Sequence, residues 1–493
     1  MISLLYPKNV RRGNLMTFAE IVGKVDSFAW GPWLLILLVG TGIYLSIRQG
    51  FPQFRHFHHA MKNTLGKIFT KSEAGAGEVT PFQAVTTALA ATVGTGNIAG
   101  VTGAIVAGGP GAVFWMWISA LFGMCTKYSE VLLAVKYRER NAQGDWVGGP
   151  MYYIKNGLGK NWKWLGIVFS ILGALCCFGI GNLTQINSIT TAINTCIDNF
   201  GGNTGAHTLS FAGNAVPVSS LIIGIIVAIF AGLVLLGGLK RIGAVTEKLV
   251  PFMAVVYIIG ALVVVIGNIG TLPKVLGMIF KGAFTPKGAL GGAFGITVMT
   301  TIQKGVGRGV FSNEAGMGSA PMAHAATSET NPVKQGLYGI FEVFMDTIVI
   351  CSLTSLCVLM GVGDSIAWGE AAGAELTIAG FSSIWGPKIG SLIIAVGLSL
   401  FATSTILSWC LYGSRCAEFL FGSKIIRPYQ VIFVLVIILG SVMSLSVVWD
   451  IADALNGFMA IPNLIALLGL SPVIIKTTKE YFSGPEYTGS LKK

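Results

Sequence analysis

Charged residues are scarce in this sequence, and the scarcity excludes a soluble fold. Of 493 residues only 11% are charged and 53% are hydrophobic, whereas soluble domains carry about 25% charged residues. A globule of this size would lack the polar side chains to coat itself, so its apolar surface must face lipid. Cysteine pairing motifs are also missing. Cys125, Cys176, Cys177, Cys196, Cys351, Cys357, Cys410 and Cys416 form no CxxC and lie in or beside apolar stretches. That argues against disulfides and a metal cage, and for small buried hydrophobes. No Walker A phosphate loop occurs, which counts against an ATP-driven pump. No catalytic cluster of His, Asp or Cys marks a membrane enzyme. The first residues hold Lys8, Arg11, Arg12, Lys24 and Asp26 without a clear apolar core, so no secretory leader is expected.

What is present is a series of apolar runs. A span needs about 20 such residues. Eleven candidates occur, at 28–47, 82–106, 111–135, 164–196, 217–238, 245–267, 291–310, 336–362, 388–411, 429–447 and 454–475. The fourth is over-long and is expected to tilt or to project beyond the bilayer. Runs this continuous exclude ~10-residue alternating barrel strands, and lipid-embedded backbone must satisfy itself. The expected class is an all-α integral membrane bundle.

The net charge of +12 could suggest nucleic acid, but its distribution does not. Twenty-four of the 33 Lys and Arg residues fall in alternate loops or at their edges, including Lys304 and Arg308. That bias predicts a cytoplasmic C-terminus and, with eleven spans, an external N-terminus.

Two spans contain glycine clusters. The second carries Val93-Gly94-Thr95-Gly96-Asn97-Ile98-Ala99-Gly100, the seventh Gly291-Gly292-Ala293-Phe294-Gly295. Glycine weakens helices, and transporters use such breaks to bind carboxylates and cations. The bland alternative is close helix packing. Thr95 and Asn97 favour binding, because buried polar side chains need partners. Gly94, Gly96 and Ala99 also fit a dinucleotide fingerprint, which fails here for want of a βαβ unit. Five spans separate the two breaks, so spans two to six and seven to eleven are expected to form inverted repeats.

Longer strings carry a resemblance. Thr87 to Gly100, Gly108 to Gly123 (GGPGAVFWMWISALFG), Gly148 to Ile154 and Gly309 to Ala326 resemble the alanine or glycine:cation symporter family, the sodium:alanine symporters. The resemblance implies a leucine-transporter-like fold of five-plus-five inverted repeats with one extra N-terminal helix. It implies a symporter of the cell (inner) membrane that imports alanine or glycine with Na⁺, or with H⁺ in a sodium-independent variant. The corresponding division is 1–80 for the N-terminal helix and cytoplasmic linker, 81–270 and 271–475 for the repeats, and 476–493 for a cytoplasmic tail. The amides of Thr95 and Gly96 would hold the substrate carboxylate, with Asn97 beside them. Na⁺, as coupling ion and with no other cofactor, would sit on the carbonyls of Ala90 and Val93 and the hydroxyls of Thr403 and Ser404, oxygen ligands that suit a hard cation. The bland reading of those hydroxyls is a bond to their own helix. Phe294 and Gly295 in the seventh-span break, with Thr405 and Trp409 one turn apart on the ninth span, would line a small pocket. The alternative for Trp409 is a lipid-facing or interfacial ring.

The second-span break contains no carboxylate, so a substrate ammonium would rely on carbonyls, hydroxyls and helix dipoles. Charges elsewhere in the spans are expected to pair as Lys127 with Glu130 or to serve as gate pairs and snorkelling ends, with a proton relay through Glu342 and Asp346 as the sharper alternative. The histidines, including His56, His58 and His59, read as loop residues. A channel fits this asymmetric chain less well than alternating access.

Overall fold

A computed structural model describes residues 17–64, 66, 74–211, 214–285, 297–369, 373–443, 446–485 and 487. It is a helical bundle. Nine described helices are long and apolar enough to cross a membrane, or ten if one bent pair counts as a single span. The seventh expected run contributes a helix of only 16 described residues.

The N-terminal span is built from α1 (Phe18–Ala29) and α2 (Pro32–Gln49). Pro32 opens α2 and Gly50, in the left-handed region, closes it. After α3 (Phe57–Thr64), α4 (Pro81–Thr92) begins at a capping box between Thr80 and Gln83. Then come α5 (Val101–Gly108) and α6 (Ala112–Lys136). A two-stranded hairpin, β1 (Glu139–Arg140) with β2 (Trp146–Val147), leads to α7 (Lys163–Phe178) and α8 (Thr184–Asn199). These two helices are continuous through a π-turn at Gly179–Leu183, so the over-long fourth run is a 40-residue helix from Lys160 to Asn199. The strands β3 (Thr208–Phe211) and β4 (Asn214–Pro217) cap that end.

The chain continues through α9 (Val218–Leu235), α10 (Gly238–Gly267), α11 (Leu272–Phe284), α12 (Val298–Asn313), α13 (Pro332–Val343) and α14 (Ser352–Val362). Next is α15 (Ala374–Phe421), kinked at Gly386-Pro387, then α16 (Ile426–Val442), α17 (Ser446–Gly469) and α18 (Ser471–Ser483). Alternation of these helices puts 137–162, 321–331 and 422–425 on one face, with 200–211, 214–217, 268–271 and 363–369 on the other.

Small residues set the helix contacts, as they do where helices cannot use the hydrophobic effect against lipid. The resemblance-bearing string from Gly108 to Gly123 is used this way. A Cβ on Gly111 would lie 2.2 Å from the Gly282 backbone, and one on Gly305 2.3 Å from the Ala112 carbonyl. Gly336 and Gly339 of α13 likewise press onto Tyr128 and Lys127 of α6.

The hairpin face is tied shut. The Arg138 guanidinium donates to the carbonyls of Ala325, Thr327 and Glu329 and lies 4.3 Å over the Trp146 ring, with Arg140 at 4.1 Å. Trp146 and Arg140 both donate to Glu78, at 2.9 and 2.6 Å. Burial pushes the Glu78 carboxyl up, but those bonds and one from the Gly75 amide outweigh it and leave it below the ordinary value. Burial pulls Arg138 down to about 10, so it stays charged at neutral pH. Arg415 pairs with Glu418 at 2.6 Å and reaches Asp145 at 3.5 Å, bringing the end of α15 to the same clasp.

Gly111→Ala should lower thermal stability, because backbone cannot yield as a side chain can; overpacking costs about 1–3 kcal/mol. Gly40→Ala, where a new Cβ meets nothing within 4 Å, is the control and should be neutral or slightly stabilising. Melting of both variants by fluorescence-detected size exclusion measures the difference.

Candidate substrate and cation site

Between α4 and α5 the helix opens. Regular α-helix stops at Val93, and a π-turn covers Gly96–Gly100. The two halves are bent by 48°. The freed groups find partners inside the protein. The Gly94 amide donates to Asn97 Oδ1 at 2.8 Å. The Thr95 amide reaches Gln185 Oε1 at 3.4 Å. A Cβ on Gly94 would lie 2.6 Å from Thr405 Oγ1, which is why glycine is needed there.

The second expected break cannot be placed among the described residues. Gly291 to Gly295, with Phe294, lie outside the described residues. Among the described ones, α12 stops where Glu314 takes a left-handed φ of 56°, followed by Gly316 and Gly318 at 90° and 82°. A non-glycine residue in that region is uncommon. Among the described residues an interruption therefore falls in the string Gly309 to Ala326, after Ser312 and Asn313.

Asp346 joins the two breaks. It sits in a π-segment, Phe344–Cys351, between α13 and α14. Its Oδ1 accepts from Asn97 Nδ2 at 2.6 Å and from Ser312 Oγ at 3.1 Å; its Oδ2 accepts from Thr347 Oγ1 at 2.7 Å. Asn313 in turn donates to Thr347 at 3.0 Å. A carboxylate, absent from the second-span motif, thus reaches the break from the eighth run. Asn97 and Asp346 are both fully buried, so Asn97 bridges the break to Asp346 instead of lining open space.

A cavity of about 440 Å³ lies against the first break, lined by Thr95, Gly96, Lys304, Arg308, Phe311 and Trp449 among others. Gly373 to Glu375 also border it, so it opens away from the hairpin face. Lys304 and Arg308 therefore belong to this opposite half, not to the basic loops with which the sequence grouped them. Thr95 Oγ1 is buried without a hydrogen-bond partner. Trp409 is not part of this wall. It is buried against Gly181 in the π-turn of the α7–α8 helix and beside Tyr412, so neither the pocket-wall nor the lipid-facing reading describes it. The pocket aromatics are Phe311 and Trp449.

Two hydroxyls of α15 meet α4. Ser404 Oγ is 3.3 Å and Thr405 Oγ1 3.0 Å from the Ala90 carbonyl. Both also reach their own helix at Phe401 O, at 2.8 and 3.0 Å. Each hydroxyl has one proton to give, so the group holds more oxygens than donors. The pair is shifted by one residue from the expectation. Thr405 stands with Ser404, while Thr403 is half-buried on another side of the helix. Val93, just beyond, ends α4.

The other buried charges are rearranged too. Lys127 Nζ pairs with Glu342 at 3.2 Å, not with Glu130, and all three are fully buried instead of snorkelling. Glu130 accepts from the Gly318 amide and from Asn463. Glu314 accepts from Ser319. His324, also fully buried, meets Glu342 at 3.1 Å and Gln335 at 2.9 Å, so it is no loop histidine. His56 stacks on Phe482 at 3.5 Å. Gln185 escaped the sequence reading, and Asp346 entered it as a proton-relay candidate and not as part of this site; a Gln or Asp inside an apolar run was their one visible signal.

Comparison with known proteins agrees with this architecture. The crystal structure of MhsT in complex with L-phenylalanine matches 82% of this chain and 99% of its own, with a TM-score of 0.55 at 14% identity, a likeness of fold alone. An uncharacterized transporter of Haemophilus influenzae is 48% identical over 95% of this chain and 97% of its own. The sodium/alanine symporter AgcS of Methanococcus maripaludis is 46% identical over 94% of this chain and 98% of its own. The profile of the sodium:alanine symporter family matches residues 15–489. These relatives are transporters and not enzymes, and this chain belongs to the sodium:alanine symporter family.

Proposed function

We propose that this protein imports small neutral amino acids, alanine and glycine, together with Na⁺ by alternating access. The observation that carries the reading is the broken α4–α5 helix, with an open cavity on one side and the Ala90–Ser404–Thr405 oxygens on the other. Eleven spans in an inverted five-plus-five arrangement after an extra N-terminal helix accommodate it, with the hairpin face cytoplasmic, where the basic loops gather. In this reading the substrate carboxylate takes the amides at Thr95 and Gly96, with Gln185 giving way. Its ammonium is drawn toward the Asp346 carboxylate, which supplies the charge the motif lacks. Na⁺ bridges the Ala90 carbonyl and the two hydroxyls, with Val93 the nearest further carbonyl. Phe311 and Trp449 limit the side chain. Asp346 also supports a second reading, proton coupling, since a buried carboxylate can carry either ion. Uptake of labelled alanine into proteoliposomes with and without Na⁺ at fixed pH separates the two.

Thr405→Ala should raise the half-saturating Na⁺ concentration roughly five- to tenfold, the equivalent of one lost ligand or hydrogen bond of about 1 kcal/mol. Ser404→Ala should act in the same direction. An unchanged Na⁺ activation curve in both variants would remove these hydroxyls from the cation site.

Asp346→Asn keeps the shape but turns an acceptor of three bonds into a group with its own donors. Hydrogen bonds to charged groups are worth about 1.5–3 kcal/mol, so uptake should fall roughly 10- to 100-fold with normal membrane levels. Wild-type uptake rates in the variant would show that Asp346 only holds the helices together.

Glycine and serine should compete with labelled alanine, while leucine, glutamine and phenylalanine should not. Competition by leucine equal to that by glycine rules out a small pocket.

A further inference from the structure

A second cleft of about 210 Å³ opens beside the central cavity, between α1, α12 and α17. It is lined by Asp26 and Trp30 from the N-terminal segment, by Gln303, Lys304, Gly307, Arg308 and Phe311 from α12, and by Asp453 from α17. It is small beside the ~300–1,000 Å³ typical of pockets for drug-sized ligands, so it suits a ligand of few heavy atoms.

Two carboxylate oxygens at this cleft are not satisfied by the protein. Asp453 is only 9% exposed. Its Oδ2 lies 3.5 Å from an Arg308 nitrogen, but its Oδ1 is buried and accepts no hydrogen bond. Asp26 Oδ1, on the facing helix, is buried and unpartnered in the same way. Trp30 Nε1 is already committed, donating to the Asp453 carbonyl at 2.9 Å and holding α1 against α17. Buried acceptors left unmet are costly, so the cleft calls for donors. Lys304 and Arg308 offer the complementary need for an anion, with Arg308 lying 5.2 Å over the Phe311 ring.

A bare cation would satisfy the two aspartates but be repelled by Lys304 and Arg308. A bare anion would meet the reverse problem. A ligand carrying both charges a few ångströms apart meets both ends. We propose that this cleft is a second, outer binding site for an α-amino acid zwitterion, held by Asp26 and Asp453 at its ammonium and by Lys304 and Arg308 at its carboxylate. Trp30, Phe311 and Gly307 leave space for a small side chain. The cleft and the central cavity share Lys304, Arg308 and Phe311, so a ligand can pass inward while its carboxylate stays with the same two cations. The inference rests on the amino-acid transport reading.

The test is equilibrium binding of radiolabelled L-alanine, in Na⁺, to the purified full-length chain in nanodiscs. Wild type should saturate at two alanines per chain. Asp26→Asn should weaken the outer site roughly tenfold or more. Gly307→Leu should fill it, since a Cβ there has only the Trp30 ring nearby, at 3.9 Å. Both variants should keep one Na⁺-dependent alanine, which also shows that they fold. Gly96→Leu should remove the inner alanine and leave the outer one. Saturation of wild type at one alanine, removed by Gly96→Leu and untouched by Asp26→Asn and Gly307→Leu, would overturn the outer site while leaving the transport reading intact. No alanine bound to wild type would sink the transport reading and the outer site together.

Discussion

A backbone opened inside hydrocarbon has no water to turn to, so its amides and carbonyls must be met by the protein. Here two helices are opened at one level, after Thr92 and after Asn313, and most of the polar architecture follows from serving them. Asn97 closes the first break on itself through the Gly94 amide and reaches Asp346. Ser312, at the end of α12, reaches the same carboxylate. One side chain thereby registers two broken helices against the eighth run. The π-geometry around Asp346 serves this purpose, since a wider turn lets a residue aim where a regular helix would not. At the first break itself Thr95 Oγ1 is left without a partner.

Much of the bundle was legible in the sequence because lipid imposes long, unambiguous runs. The over-long fourth helix and the Val93–Gly100 break both stand where the residues put them. The string Gly291 to Gly295 lies outside the described residues, and the described interruption of the seventh run uses Glu314 in a left-handed conformation. Composition cannot reveal a non-glycine residue forced to a positive φ by its surroundings. The one-residue shift from Thr403–Ser404 to Ser404–Thr405 has a similar cause. Three consecutive hydroxyls point about 100° apart on a helix, and only packing against Ala90 decides which two converge. Asp346 and Gln185 were visible as polar residues in apolar runs, but their partners lie 249 and 90 positions away, beyond any local pattern.

The buried ionic cluster beneath the breaks is a consequence of the same constraint. Where α12 ends, the chain must cross to α13 through Gly316 and Gly318. Glu130 and Asn463 receive this segment by bonding the Gly318 amide and the Gly316 carbonyl. Lys127 then offsets Glu342 on the neighbouring helix, and His324, after the break, joins the same carboxylate. Buried pairs of this kind are weak contributors to net stability but are costly to break singly. Their role fits registration of the irregular segment more than strength. The close seating of Gly339 on Lys127 shows how little freedom that register has.

The clasp on the hairpin face and the open cavity on the other belong to one state, and their chemistry is unequal. On the closed face Arg138 holds three carbonyls of the 325–329 segment, which lies just beyond the α12 break. Glu78, immediately before α4, is held by Trp146 and Arg140. The same hairpin therefore grips the approaches to both broken helices. On the open face the described ion pair is a long one, Arg308 with Asp453 at 3.5 Å, beside the bond from Trp30 to the Asp453 carbonyl. Moving either broken helix away from the hairpin must release charge-assisted bonds and stacked guanidinium groups together. In this state the cavity opens toward the face with the weaker ion pair, while the hairpin face is held by charge-assisted bonds.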